Sequence, residues 1–237
     1  MKLSKRLHQL DAMVANDYQH VWDCCCDHGF LGAALLTRQA APHIHFVDIV
    51  PSLMAQLDEK LQRFYPDNRA YQTHCLDVSQ LPLESFPGNT LVIIAGVGGE
   101  LMSRFIADIH GRHPEITIDW LLCPTNQTFH LRSHLIDFGF SLNDEVLLEE
   151  NQRYYEILSV TSTGALAPAR DNQAITAISP VGAKLWQTIE LTSKHQTRLA
   201  ERYRDNLLKH YQRVNQASDT DVGHIIAAYK NAPLAQC

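Results

Sequence analysis

The sequence predicts an α/β protein: a Rossmann-like sheet of parallel strands closed by an antiparallel hairpin, with a C-terminal helical hairpin after it. Three observations predict this. Short apolar runs alternate with helix-patterned stretches through the first part of the chain. Two ten-residue strand patterns then follow each other across a tight turn. Past residue 165, apolar residues recur three or four apart. With 237 residues, 45% of them hydrophobic and 19% charged, the chain suits one large domain with an appendage and a real core.

The elements follow in order. HVWDC (20–24), IHFVD (44–48), AYQTHCL (70–76), TLVIIAG (90–96) and IDWLLCP (118–124) read as buried strands. FLGAALLTRQ, SLMAQLDEKLQRF, GELMSRFIADIH and TFHLRSHLIDFG supply the helices between them. Strand–helix alternation at this spacing implies a parallel sheet wrapped by helices. SLNDEVLLEE (141–150) and RYYEILSVTS (153–162) are joined by a tight turn and pair antiparallel. This gives a sheet domain over 1–163, a polar connector over 164–178 and a helical region over 179–237. In the last, Ser179-Pro180 reads as an N-cap with proline at the first helical position. Leu185, Ile189, Leu199, Tyr203, Leu207, Tyr211 and Val214 mark one amphipathic helix. A turn over 216–219 precedes a second, marked by Val222, Ile225, Ile226 and Tyr229, and together they predict a hairpin of coiled-coil type.

Composition narrows the function classes. The longest apolar runs, such as LVIIAGV (91–97), are too short to span a bilayer, and the N-terminus has no apolar core of a signal peptide. Six cysteines at 24, 25, 26, 75, 123 and 237 read as reduced thiols, so the expected location is cytoplasmic. The net charge of −6 argues against coating nucleic acid with the whole surface and leaves room for a local basic patch.

The stretch VWDCCCDHGFLG (21–32) sits between the first strand and the first helix. Adjacent cysteines rarely point at one ion and no matching ligand pair stands elsewhere, so no metal is expected. No C-x-x-C supports a redox site. In parallel sheets, ligands bind outside the carboxyl ends of the strands. The loop lacks G-x-G-x-x-G, so a ligand without phosphates fits it better. Asp23, Cys24, Cys25 and Asp27 are its contact candidates. Asp48, followed by Ile49, ends the second strand, where a carboxylate accepts both hydroxyls of a ribose. Asp77, followed by Val78, stands at the exit of the third, where a carboxylate accepts from the amino group of an adenine. Ala95, Gly96, Val97 and Gly98 follow the fourth and let a flat substrate lie against the backbone. A ribose, an adenine and no phosphate match S-adenosyl-L-methionine.

These residues resemble the bacterial tRNA adenine-N1 methyltransferases that modify adenine 22 in the D-arm. LSKRL (3–7) is similar to the family's opening, and DCCCDHGFLG (23–32) to its D-I-G-S-D-H cofactor loop. IAGVGGE (94–100) is similar to I-A-G-M-G-G, LCPTNQ (122–127) to L-Q-P-N, and EVLLEENQRYYEIL (145–158) to its acidic hairpin. The resemblance covers most of the chain. It implies a class I methyltransferase fold, a C-terminal coiled coil that helps to hold tRNA, and an active-site role for Asp27. Three departures stand out: Cys24-Cys25-Cys26 replaces Ile-Gly-Ser, Gly32 stands where the family often has proline, and Cys123 replaces glutamine.

Adenine N1 carries a free lone pair, so the chemistry needs alignment rather than a base. Asp27 is the candidate for favouring the positive charge that the purine gains, with His28 orienting the loop and Asn126 reading the edge of the base. Residues 184–213 hold seven Lys/Arg and three acids, a net +4 that leaves −10 on the rest of the chain. Lys184, Lys194, Arg198, Arg202 and Lys209, joined by Lys5, Arg6 and Lys2, form the expected face for tRNA. The chain is expected to be a monomer or weak dimer. Two rivals are a methyltransferase of a small molecule or protein, and a non-catalytic RNA-binding or cofactor-sensing protein.

Overall fold

A computed structural model describes residues 3–66, 68–164, 176–187, 194–217 and 221–233, the side chains of 194–197 excepted. Five strands run parallel: β1 (His20–Cys24), β2 (His43–Asp48), β3 (Tyr71–Cys75), β4 (Thr90–Ala95) and β5 (Ile118–Cys123). Then β6 (Ser141–Glu150) and β7 (Arg153–Ser162) form the expected hairpin. The sheet order is β3-β2-β1-β4-β5-β7-β6-β8, with β7 antiparallel to β5. The outermost strand, β8 (Thr176–Ala177), has two residues, too few to carry an alternation, and falls inside the expected connector. Most of that connector, 165–175, lies outside the described residues.

Helices cover both faces of the sheet: α2 (Phe30–Thr37), α3 (Pro51–Phe64), α4 (Gly99–Arg112) and α5 (Thr128–Asp137). This is why β1 and β5 are buried at every residue and read as unbroken apolar runs. Successive side chains split between the faces. Trp22, Ile94 and Trp120 pack with Met102 of α4 and Leu135 of α5. Val21, Phe46 and Ile93 pack with Leu35 of α2 and Leu57 of α3.

An N-terminal helix, α1 (Lys5–Met13), was not anticipated. The Ser4 hydroxyl caps it by accepting from the Leu7 N–H at 3.3 Å. Leu10 buries its apolar side against the α2–α3 face, and Arg38 at the end of α2 donates to Asp11 Oδ1 at 2.8 Å.

The C-terminal region comprises α6 (Ala183–Gln187), α7 (Lys194–Ala217) and α8 (Gly223–Lys230). Ile189 and the end of the expected turn lie outside the described residues. The eight residues of α8 cover only part of the 24-residue α7, so a short helix buttresses a long one, as the shorter second apolar pattern implied. Trp186, Leu199, Tyr203, Ile225 and Tyr229 share a core with Phe129 of α5 and Leu147 of β6. The helices are thus packed on the sheet rather than projecting from it.

Candidate active site

Five loops meet at the carboxyl edge of the sheet. The first, between β1 and α2, is held open by backbone turns in the left-handed region, with Cys25 at φ 55°, Asp27 at φ 49° and Gly29 at φ 68°. Side chains rarely adopt this conformation. Two contacts fix it to β2: the Cys26 N–H donates to the Val47 carbonyl, and the Asp27 N–H donates to Asp48 Oδ2, both at 3.1 Å. The other oxygen of Asp48 accepts from the Val50 N–H at 3.1 Å. Asp48 therefore stands at the centre of the site as an organiser of two loops, each of its oxygens keeping a lone pair for a ligand.

Asp23 is buried and accepts from the Gly32 N–H at 2.8 Å, tying the end of β1 to the first turn of α2. Burial pushes its carboxyl up to about 7, with the nearby Asp48 charge adding to the rise and the Gly32 hydrogen bond opposing it. Gly32 has no room for a side chain, because a Cβ there would lie 2.3 Å from the Phe46 ring. The departure from proline at this position is thus accommodated by Phe46.

The three cysteines divide. Cys24 is buried in the core beneath the sheet, and Cys26 packs by Met54. Only Cys25 is half-buried at the site, where burial and then the charges of Asp48, Asp23 and Asp77 push its thiol up to about 12. All three thiols are shifted upward by burial, so they are held protonated and unreactive.

Asp77 accepts from the Ser79 N–H at 2.8 Å and caps a short 3-10 turn over Val78–Gln80, while Val78 is buried beneath it. Ile49 is 60% exposed beside Asp48, an apolar side chain left facing out at a strand end. The β4–α4 loop turns at Gly96, with φ 92°, and Ala95 and Val97 flank it half-buried. Gly98 precedes α4, and a Cβ on it would lie 2.8 Å from Asn126 Oδ1. The Asn126 carbonyl accepts from the Gly99 N–H at 3.0 Å, which brings the β5–α5 loop against the β4–α4 loop. Asp27 and His28 are exposed, with Oδ1 and Nε2 3.8 Å apart.

The expected basic face is split. Lys5 donates to the Glu149 carbonyl at 3.0 Å and Arg202 pairs with the Glu149 carboxylate, both at the tip of the β6–β7 hairpin. Lys184 instead donates to the Asn143 carbonyl at 2.8 Å, at the opposite end of β6. Arg198 and Lys209 are exposed, whereas Lys2 and the side chain of Lys194 lie outside the described residues. Arg6 is the surprise. It lies over the Tyr155 ring at 5.2 Å, its charge opposes the upward push that burial gives the Cys123 thiol, and its Nη1 is 3.8 Å from the space a Cβ on Gly96 would take. Nη1 is buried without a hydrogen-bond partner among the described residues. Arg6 therefore belongs to the active-site mouth. Ser4, a helix cap, signals the helix that carries Arg6, while no pattern along the chain signals where that helix packs.

Among the described residues, no group of three or more His, Cys, Asp or Glu is arranged to hold a metal ion, and no helix is long and apolar enough to cross a membrane.

Comparison with known proteins adds the lineage. No curated protein matches the chain. Among solved structures, the m1A22 tRNA methyltransferase TrmK of B. subtilis superposes with a TM-score of 0.69 at 20% identity, covering 97% of each chain. TrmK of M. capricolum, with the cofactor product S-adenosyl-homocysteine, gives 0.69 at 16% identity, again over 97% of each. The magnesium protoporphyrin IX methyltransferase of Synechocystis PCC 6803, with bound SAM, gives 0.50 at 20% identity over 67% of this chain and 76% of its own. At these identities the likeness establishes a shared fold, which for the first two extends through the C-terminal helices. The methyltransferase-domain family model matches residues 3–158, a span that holds α1 and ends within β7. The chain belongs to the methyltransferase-domain family.

Proposed function

We propose that the protein transfers a methyl group from S-adenosyl-L-methionine to N1 of adenine in tRNA, at position 22 of the D-arm, as a cytoplasmic monomer or weak dimer. The observation that carries this reading is Asp48 tying the β1–α2 loop to the β2–α3 loop, with Asp77 at the next strand exit and the open Gly96 turn on the other side of β1. The donor set fits the cofactor. Asp48 has lone pairs for two ribose hydroxyls, Ile49 offers an exposed apolar face to an adenine, and Asp77 suits its exocyclic amine. The absence of a glycine-rich phosphate loop agrees with a ligand without phosphates. When bound, S-adenosyl-L-methionine supplies an electrophilic methyl group on a sulfonium. The tRNA part of the reading draws on the full-length likeness to the TrmK enzymes, C-terminal helices included.

In this mechanism the chain orients and polarises. Adenine N1 attacks with its own lone pair, and no side chain has to remove a proton first. Asp48 holds the Asp27 loop in place through the Asp27 N–H. The Asp27 carboxylate then stands where it favours the charge that develops on the purine. Asn126, wedged against Gly98, has a donor and an acceptor for the edge of the base.

Labelled S-adenosyl-L-methionine and unmodified bacterial tRNA test this directly, with nucleoside digestion and mass spectrometry. The expected product is 1-methyladenosine, lost when adenine 22 of the transcript is replaced by guanine. Absence of transfer, with cofactor binding shown by calorimetry, overturns it.

A further inference from the structure

Beside the candidate active site, a second cleft of about 360 Å³ opens between the β5–α5 loop, the start of β7 and the inner face of α7. Its volume falls at the small end of the roughly 300–1,000 Å³ typical of ligand pockets. Its walls combine aromatic and polar groups. Tyr154 and Tyr211 face it half-buried, Asn126 and Asn206 supply amides, and Arg153 stands exposed in its lining. Tyr229, from α8, lines it too. That residue is 0% exposed, its ring stacks near that of Tyr211, and its hydroxyl has no hydrogen-bond partner among the described residues. A buried hydroxyl left unpaired is costly unless a ligand or water answers it.

Asn126 belongs to both spaces. Its side chain abuts Gly98 of the β4–α4 loop on one side and lines the cleft on the other. One side chain thus separates the place where a target base meets the cofactor loops from the cleft. Aromatic rings, amides and one arginine make the chemistry that recognises an unpaired nucleotide, by stacking and by hydrogen bonds to base edges, with the cation left for phosphate.

We propose that this cleft binds a nucleobase of the RNA substrate that flanks the methylated one, stacked against Tyr211 and held by Asn206 and the Tyr229 hydroxyl. The proposal rests on the tRNA reading above and adds a base-binding subsite built jointly by the methyltransferase sheet and the C-terminal helices. It gives those helices a recognition role that does not depend on charge.

The test is fluorescence anisotropy with an unmodified tRNA transcript, run on the full chain alongside calorimetry of S-adenosyl-L-methionine. Three variants decide it. Tyr211→Ala removes the stacking ring, Tyr211→Phe keeps it, and Asn206→Trp fills the cleft from an exposed position. Tyr211→Ala and Asn206→Trp are expected to weaken tRNA binding about tenfold, with cofactor affinity unchanged, and Tyr211→Phe to bind as the parent does. If Tyr211→Ala fails to fold, Asn206→Trp alone decides. A parent protein that binds and methylates tRNA, with unchanged affinity in Asn206→Trp and in folded Tyr211→Ala, overturns the subsite and leaves the methyltransferase reading intact. A parent protein that binds cofactor and no tRNA overturns both.

Discussion

At the scale of single residues, Asp27 and Cys25 show how the loop after β1 balances strain against function. Both have positive φ, and both are held there by the surrounding contacts rather than by their own preference. Asn tolerates that conformation, so Asp27→Asn removes the charge and leaves the loop in place. We expect a fall in kcat of about 100-fold, the scale of losing one group aimed at developing charge, with calorimetric affinity for S-adenosyl-L-methionine nearly unchanged. Equal loss of both would assign Asp27 to cofactor binding. Cys25 occupies the position at which the resembled family has glycine, and its φ of 55° gives the physical reason for that glycine. Cys25→Gly should therefore bind cofactor and unfold within about 1 kcal/mol of the parent, since relief of strain is offset by the freer unfolded chain. Cys25→Val, branched where branching is least tolerated, should lose about 2 kcal/mol. Urea unfolding midpoints at constant slope separate the two.

At the scale of elements, the strands were legible almost to the residue, because a sheet covered on both faces writes long apolar runs between turns. The positions of Asp48 and Asp77 at the ends of the second and third strands followed from the same segmentation. What stayed hidden has no pattern along the chain. Arg6 reaches the site because α1 folds over the sheet edge, and the aromatic cleft joins residues from four separate segments. A third example is a chain of three histidines across neighbouring strands, two of them buried and His74 half-buried. His20 Nδ1 lies 3.0 Å from His45 Nε2, and His45 Nδ1 lies 3.0 Å from His74 Nε2, with Trp22 stacked on the middle ring. In the neutral chain each ring-to-ring contact needs one donor and one acceptor, so His45 donates through one ring nitrogen and accepts through the other. Burial, and then the neighbouring histidines, pull His45 down to about 3, and burial lowers His20 and His74 as well. A depressed folded pKa means that the unfolded chain binds the proton first. The stability from this neutral chain is complete above about pH 6.5 and is lost as the pH falls toward 3. His45 alone contributes a slope of up to about 1.4 kcal/mol per pH unit across that range. Replacing His45 by glutamine should flatten the acid limb of a plot of unfolding free energy against pH. An unchanged limb would place the titration elsewhere.

At the scale of the whole molecule, the question is what makes the C-terminal helices part of one body. Arg132 of α5 is fully buried between Glu145 of β6 and Glu156 of β7, at 2.8 and 2.6 Å. The same two carboxylates reach the later segments. Glu156 accepts from the Tyr203 hydroxyl of α7 at 2.5 Å, and Glu145 accepts from the Lys184 N–H of α6 at 2.6 Å. Arg132 also donates to the Ser179 carbonyl at 3.1 Å. The burial cost of three charges is met by one another and by these polar contacts, and the two glutamates raise the affinity of Arg132 for its proton against the pull of burial. Arg132→Met keeps the volume and strands two buried carboxylates, so it should destabilise the protein by about 3–5 kcal/mol. Combining it with Glu145→Gln and Glu156→Gln should recover most of that loss, because the stranded charges go with the arginine. Hydrogen exchange locates the effect. If the cluster is the hinge pin of the assembly, Arg132→Met raises exchange in α7 and α8 before it does so in β1 and β4, while tRNA binding falls further than cofactor binding. Uniform exchange across the sheet and the helices would instead make Arg132 a general core residue, and the joint between sheet and helices would then rest on the apolar contacts of Trp186, Tyr203 and Tyr229 alone.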